Sequence, residues 1–210
     1  MRDLRRAVPL PETADELCNV AGVLGARETD VLLGARASER EIFRLSEVGG
    51  LRDYRILHFA THGALAGEAS GSSEPGLVLT PPLEGSQADD GYLSASEIAG
   101  LKLDADWVIL SACNTASGEA KGAEALSGLA RAFFYAGARA LLVSHWYVDS
   151  NATVALIKDA FAELKSDPKI GRAEALRRSM LALIDLGAEH QAHPAAWAPF
   201  VVVGEGAAAR

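Results

Sequence analysis

Apolar residues recur along this chain in two alternating rhythms, one of period three to four and one of continuous short runs. Between Pro11 and Gly25, residues Leu17, Val20, Ala21 and Leu24 form the stripe of a helix that buries one face. Proline suits the first turn, where a missing N–H is no loss, and glycine suits the end. Thr29 to Leu33 is a β-branched and leucine run closed by Gly34, and predicts a strand. Ser38 and Glu41 have capping-box spacing, and Ile42, Leu45 and Val48 continue as a helical stripe that Gly49 and Gly50 stop. Tyr54 to Thr61, with Ile56, Leu57 and Phe59, predicts a strand.

Gly63 to Gly91 is rich in Gly, Ser, Glu and Pro, and predicts a long loop with one short strand at Leu77-Val78-Leu79. Ser94 with Glu97 is a second capping box, opening a short helix that Gly100 ends. Trp107 to Ser111 is a continuous apolar strand. From Gly122 to Ala136, residues Ala125, Leu126, Leu129, Ala132 and Phe133 repeat at three and four, and Gly137 caps that helix. Ala138 to Val143 is a strand, Asn151–Leu164 and Arg172–Leu186 are helices, and Trp197 to Val203 is a last strand. Strands that alternate with helices, each strand nearly all apolar, predict an α/β fold with a mostly parallel sheet covered by helices. No repeat period and no internal linker divide the chain, so one domain is expected.

Composition narrows the function. The 210 residues carry 20 Lys and Arg against 28 Asp and Glu, a formal charge of −8, with no basic cluster outside Arg2, Arg5 and Arg6. A nucleic-acid surface would need clustered cations, so none is expected. No apolar stretch approaches the ~20 residues of a membrane span. Met1 to Pro9 is basic without an apolar run, so no signal peptide is visible and the cytoplasm is the expected compartment. The two cysteines, Cys18 and Cys113, agree with a reduced environment. Cys18 is expected to face the core of its helix.

Two strand ends hold the candidate chemistry. One is His58-Phe-Ala-Thr-His62-Gly63 and the other is Leu110-Ser-Ala-Cys113-Asn114-Thr115. If the strands are parallel neighbours, His62 and Cys113 emerge on the same edge, where open sheets bind ligands. A thiol at its ordinary pKa is a few per cent thiolate at neutral pH, and an adjacent imidazole raises that fraction and later protonates a leaving amine. Gly63 permits close backbone approach. Its N–H and that of Cys113 are expected to point at a developing oxyanion, worth about 3 kcal/mol per preorganised donor. No third, orienting acid is visible, so the arrangement is a dyad. The plainer alternatives are a cysteine that is a small core residue and a histidine that is a loop residue. A metal site of His58, His62 and Cys113 lacks a recognised ligand spacing, and none is expected. A nucleotide-binding reading lacks a glycine-rich phosphate loop. No cofactor is implied.

At these motifs the chain resembles the CHAT family, relatives of caspases and separases. The matching stretches are Leu57-His-Phe-Ala-Thr-His-Gly63, Leu110-Ser-Ala-Cys-Asn-Thr-Ala116, Gly128 to Ala138, Val143 to Asp149 and His193 to Phe200. The resemblance implies a caspase-like three-layer sandwich over residues 10–204, lacking its first strands, with tails at 1–9 and 205–210. It implies a cysteine endopeptidase with His62 as base, Cys113 as nucleophile, and the N–H groups of Gly63 and Cys113 as oxyanion hole. Ser144, His145, Trp146 and Asp149 would form one wall of a cleft for a protein or peptide substrate. Asp149 would either receive a basic side chain or cap the helix that follows. Family members usually carry Leu at the position of His145 and often a second Asp at that of Ser150. The resemblance also implies an upstream TPR-type or sensor module, and no direct contact with nucleic acid or membrane. The competing reading is a non-catalytic caspase-fold scaffold that binds a protein partner.

Overall fold

The computed structural model describes residues 4, 7–64, 73–86, 89–111, 120–145 and 150–207. Helix α1 (Glu12–Leu24) starts at Pro11 and ends at Gly25, whose φ of 68° lets its N–H turn back onto the carbonyls of Ala21 and Gly22. Its buried positions are Glu16 and Val20, so a carboxylate sits on the stripe that faces the core. Cys18 is exposed, contrary to the expectation for it. At 100° per residue it lies about 200° round the helix from both buried positions.

The strand expected at Thr29 to Leu33 does not form. Residues Glu28–Asp30 make a 3-10 turn and the next three join no sheet. The Asp30 carboxylate accepts the Arg27 backbone N–H at 2.9 Å and the Arg27 guanidinium at 2.8 Å, and the Tyr54 hydroxyl donates to it at 3.0 Å. A side chain folded back on its own backbone competes with a strand ladder, and here it prevails. Helix α2 (Glu39–Glu47) follows, with the Glu41 N–H donating to Ser38 Oγ at 3.3 Å. The Glu41 carboxylate goes to Arg44, and Val48 is exposed beyond the helix end.

Strand β1 (Ile56–Phe59) leads to β2 (Gly63–Ala64), β3 (Gly76–Val78) and β4 (Tyr92–Ser94). The last three form a small antiparallel sheet, so the segment expected to be mostly loop holds more order than its composition suggests. Helix α3 (Ala95–Ala99) carries the complete capping box between Ser94 and Glu97. Then come β5 (Trp107–Leu110), α4 (Ala120–Ala136), β6 (Ala140–Ser144), α5 (Ser150–Ser166), α6 (Arg172–Leu186), α7 (Glu189–Ala192), α8 (Pro194–Trp197) and β7 (Phe200–Gly204). Trp197 ends a short helix instead of opening the last strand. Pro194 starts that helix, and the Trp197 indole N–H donates to the Ala192 carbonyl at 3.1 Å.

The main sheet runs β1-β5-β6-β7, parallel except for β7. Alternate residues face opposite layers. Leu57, Phe59, Val108, Leu110, Leu141 and Val143 pack toward α2, α3, α4 and the small sheet. Ile56, Trp107, Ile109, Ala140 and Leu142 pack toward α1, α5 and α6. Strand β5 is buried on both faces, none of its residues more than 2% exposed, which accounts for its unbroken apolar run. The result is the three-layer, caspase-like α/β sandwich that the resemblance implies. Among the described residues no helix is long and apolar enough to cross a membrane.

Candidate active site

Because β1, β5 and β6 are parallel neighbours, their carboxyl ends share one edge. The register pairs Phe59 with Leu110 and Leu110 with Val143. His62 follows Phe59 by the same three residues by which Cys113 follows Leu110, and Ser144 directly follows Val143. Adjacent strands stand about 4.8 Å apart, so β1, β5 and β6 end side by side. Cys113 itself, with Trp146 and Asp149, lies outside the described residues. His62, Gly63, Ser111, Ser144 and His145 lie within them.

His62 is held on both sides of its Cα. Its carbonyl accepts the Val78 N–H at 2.8 Å, and the hydroxyl of the preceding Thr61 donates to the Val78 carbonyl. Gly63 stands opposite Leu77. Hydrogen-bonded and non-bonded pairs alternate in an antiparallel ladder, so the Gly63 N–H points away from β3 and is not consumed there. The imidazole Nε2 lies 2.7 Å from the Val8 carbonyl oxygen. A carbonyl only accepts, so Nε2 carries a proton, and in the neutral ring Nδ1 is the nitrogen that keeps a lone pair. The group that holds the His62 ring is therefore a main-chain oxygen supplied from before α1, where the sequence showed no side chain for it. Nothing about the residue type at position 8 signals that role.

Ser144 is buried at the end of β6 opposite Phe200, whereas His145 is exposed and its N–H donates to the Pro199 carbonyl at 2.9 Å. His58 does not share a centre with His62. Its side chain is 7% exposed, and its Nε2 lies 2.9 Å from Glu16 Oε1 and 2.9 Å from Ser111 Oγ. The ring thus points into the layer of α1. His190 and His193 are exposed, and His193 Nδ1 accepts the Ala195 N–H at 3.2 Å, a capping role for α8.

The small sheet that holds His62 has its own support. Glu39, 1% exposed in the first turn of α2, accepts the N–H groups of Asp90 and Gly91 on Oε2, each at 2.9 Å. Its Oε1 is buried without a partner. Burial pushes this carboxyl up to about 7, against the pull of the two N–H donors, and the nearby charges of Glu97 and Asp90 push the same way. The neighbouring Arg40 pairs with Asp89 at 2.8 Å. A pocket of about 400 Å³ exists at the opposite edge, lined in part by Arg55, Ile56, Asp106 and Trp107. It opens at the amino ends of β1 and β5, where Arg55 bridges Asp104 and Asp106, at the other end of the strands from His62.

Comparison with known proteins agrees with the fold. A family model, CHAT domain, matches residues 2–205. Tetratricopeptide repeat protein 28 of Mus musculus is 26% identical over 93% of the chain, and its Homo sapiens counterpart is 25% identical over the same share. The chain spans 9% and 8% of the lengths of these two relatives.

Proposed function

Because the chain belongs to the CHAT domain family, we propose that it is a cysteine endopeptidase in which His62 activates Cys113 for attack on a peptide bond. One observation carries the reading. The parallel register of β1 and β5 supports it, because the strands that precede His62 and Cys113 end side by side at one sheet edge, and the His62 Nε2–H is engaged by the Val8 carbonyl.

Nδ1 of His62 removes the thiol proton, and the thiolate sulfur attacks the scissile carbonyl carbon. The negative charge moves to the carbonyl oxygen, which the N–H groups of Gly63 and Cys113 receive. As the tetrahedral centre collapses, the imidazolium gives its proton to the leaving amine, and an acyl-thioester remains on Cys113. Water, deprotonated by the same imidazole, then releases the acid product and restores the thiol. The Val8 carbonyl steadies the imidazolium while the charge lasts. Ser144, His145, Trp146 and Asp149 form a wall of the substrate cleft, with Asp149 facing a basic side chain of the substrate or capping α5. The names of the relatives support an upstream TPR-type module as regulator. The reduced cytoplasm is the compartment in which the free thiol would operate.

The test is a peptide-library cleavage assay on the parent protein, Cys113→Ala and His62→Ala, with upstream partners supplied. Each substitution is expected to lower turnover by at least about 10³-fold with the fold intact. A thiol-reactive peptide electrophile should label Cys113 selectively. Cleavage that survives Cys113→Ala would overturn the dyad, and the absence of selective labelling would identify the chain as a binding scaffold.

A further inference from the structure

The peptidase chemistry above leaves one buried polar cluster unused. Glu16 of α1 is 2% exposed and sits against His58 on the sheet layer facing α1, α5 and α6. A carboxylate in such a place costs several kcal/mol unless it is paired. His58 is its partner, with Nε2 at 2.9 Å from Oε1. The same Nε2 is 2.9 Å from Ser111 Oγ.

The arrangement is poorly optimised as a simple bridge. Glu16 Oε1 makes ion-pair distance but no directed hydrogen bond, and His58 Nδ1 is buried with no partner. Each such deficit costs on the order of 1–3 kcal/mol, and an apolar trio of the same volume would avoid both. What the cluster does secure is the position of Ser111. That residue is fixed by its hydroxyl at His58 and by its N–H, which donates to the Phe59 carbonyl at 3.2 Å. Ser111 is the last described residue of the β5 end, and Cys113 follows it by two residues. The chain can carry Cys113 no more than about 7 Å from that anchor.

We propose that Glu16, His58 and Ser111 form a partly buried positioning set that fixes the strand end from which the nucleophile rises. The proposal rests on the peptidase reading, in which Cys113 must meet His62. It also links the two arms of the site. Glu16 belongs to the helix that follows Val8, so the segment that orients the His62 ring and the segment that anchors the Cys113 strand end belong to one stretch of chain. These residues touch no substrate and act only through Cys113. A nucleophile misplaced by about 1 Å loses on the order of 10²-fold in rate, which sets the scale expected for losing the anchor.

The experiment measures alkylation of Cys113 by iodoacetamide, with exposed Cys18 as the reference thiol in the same molecule, each followed by peptide mass spectrometry. In Ser111→Ala, the ratio of Cys113 to Cys18 rates is expected to fall at least tenfold, and Ser111→Thr, which keeps the hydroxyl, to recover most of it. Glu16→Gln should move the ratio in the same direction. If its circular-dichroism spectrum is lost, the Ser111 pair alone decides. A purely structural role would lower the melting temperature and leave the ratio alone. A ratio within twofold of the parent in folded Ser111→Ala, while His62→Ala still lowers it, overturns the positioning set and leaves the peptidase reading standing. A ratio unmoved by His62→Ala as well overturns both.

Discussion

Glu39→Gln tests how the structure places a proton. Glu39 is held near 7 against an ordinary value of 4.5, so the folded protein keeps its proton after the unfolded chain has released it. Below about pH 4.5 both states are protonated and the stability associated with this site is fully present. As pH rises from 4.5 to 7 the unfolded state gains by ionising and the fold does not, so stability falls. Above 7 the loss is complete. At 1.36 kcal/mol per pH unit across that interval, the loss is about 3 kcal/mol, or about 2 if water reaches the loop at Asp90 and Gly91. Glutamine keeps an oxygen for the two N–H donors and cannot ionise. Its amide nitrogen replaces an oxygen that already lacks a partner, a fixed offset that does not vary with pH. Urea unfolding of parent and variant, followed by tryptophan fluorescence at pH 4.5, 6, 7 and 8, should therefore show the variant gaining about 2–3 kcal/mol on the parent across the series. In thermal melts this corresponds to roughly 5–10 °C. Stability curves that run parallel within 0.5 kcal/mol from pH 4.5 to 8 would refute the assignment of Glu39 as the group that titrates.

Three further outcomes follow from the geometry. Nitrogen-15 NMR should find His62 as the Nε2–H tautomer, and deleting residues 1–9, which removes the Val8 carbonyl, should slow Cys113 alkylation about tenfold by freeing the ring to rotate; an Nδ1–H signal in the intact chain would contradict this. Gly137→Ala should destabilise by at least about 2 kcal/mol in chemical unfolding, because φ there is +111° and a Cβ would stand 2.4 Å from the Leu103 carbonyl oxygen; a change under 0.5 kcal/mol would show that the α4–β6 corner can shift.

The parts of the fold written in side-chain periodicity were legible. The stripe of α1, the capping box of Ser94 and Glu97, and the unbroken run of β5 each became the element they predicted. Thr29 to Leu33 misled because β-branched composition reports suitability for a sheet, not the availability of a partner, and the Arg27–Asp30 contact captured the backbone first. The β2-β3-β4 sheet was mostly hidden because its strands are two or three residues long, too short to show alternation. Of the site, the shared carboxyl edge of the parallel neighbours β1 and β5 could be inferred from two strand ends. The burial of Glu16 could not, since an acidic residue on an apolar stripe ordinarily marks its solvent border. Only the distance to His58, forty-odd residues later, reveals it as a partner.

An oxygen atom furnished by the peptide backbone is present whatever amino acid occupies position 8. Substitution there is invisible to the imidazole so long as the strand of chain keeps its course, which α1 and the fixed φ of Pro9 help it to do. Evolution can therefore rewrite that letter freely while preserving the contact. In the proposed dyad the imidazole needs no side chain to hold its Nε2–H, and the constraint would surface instead as intolerance of insertions and deletions between positions 8 and 12.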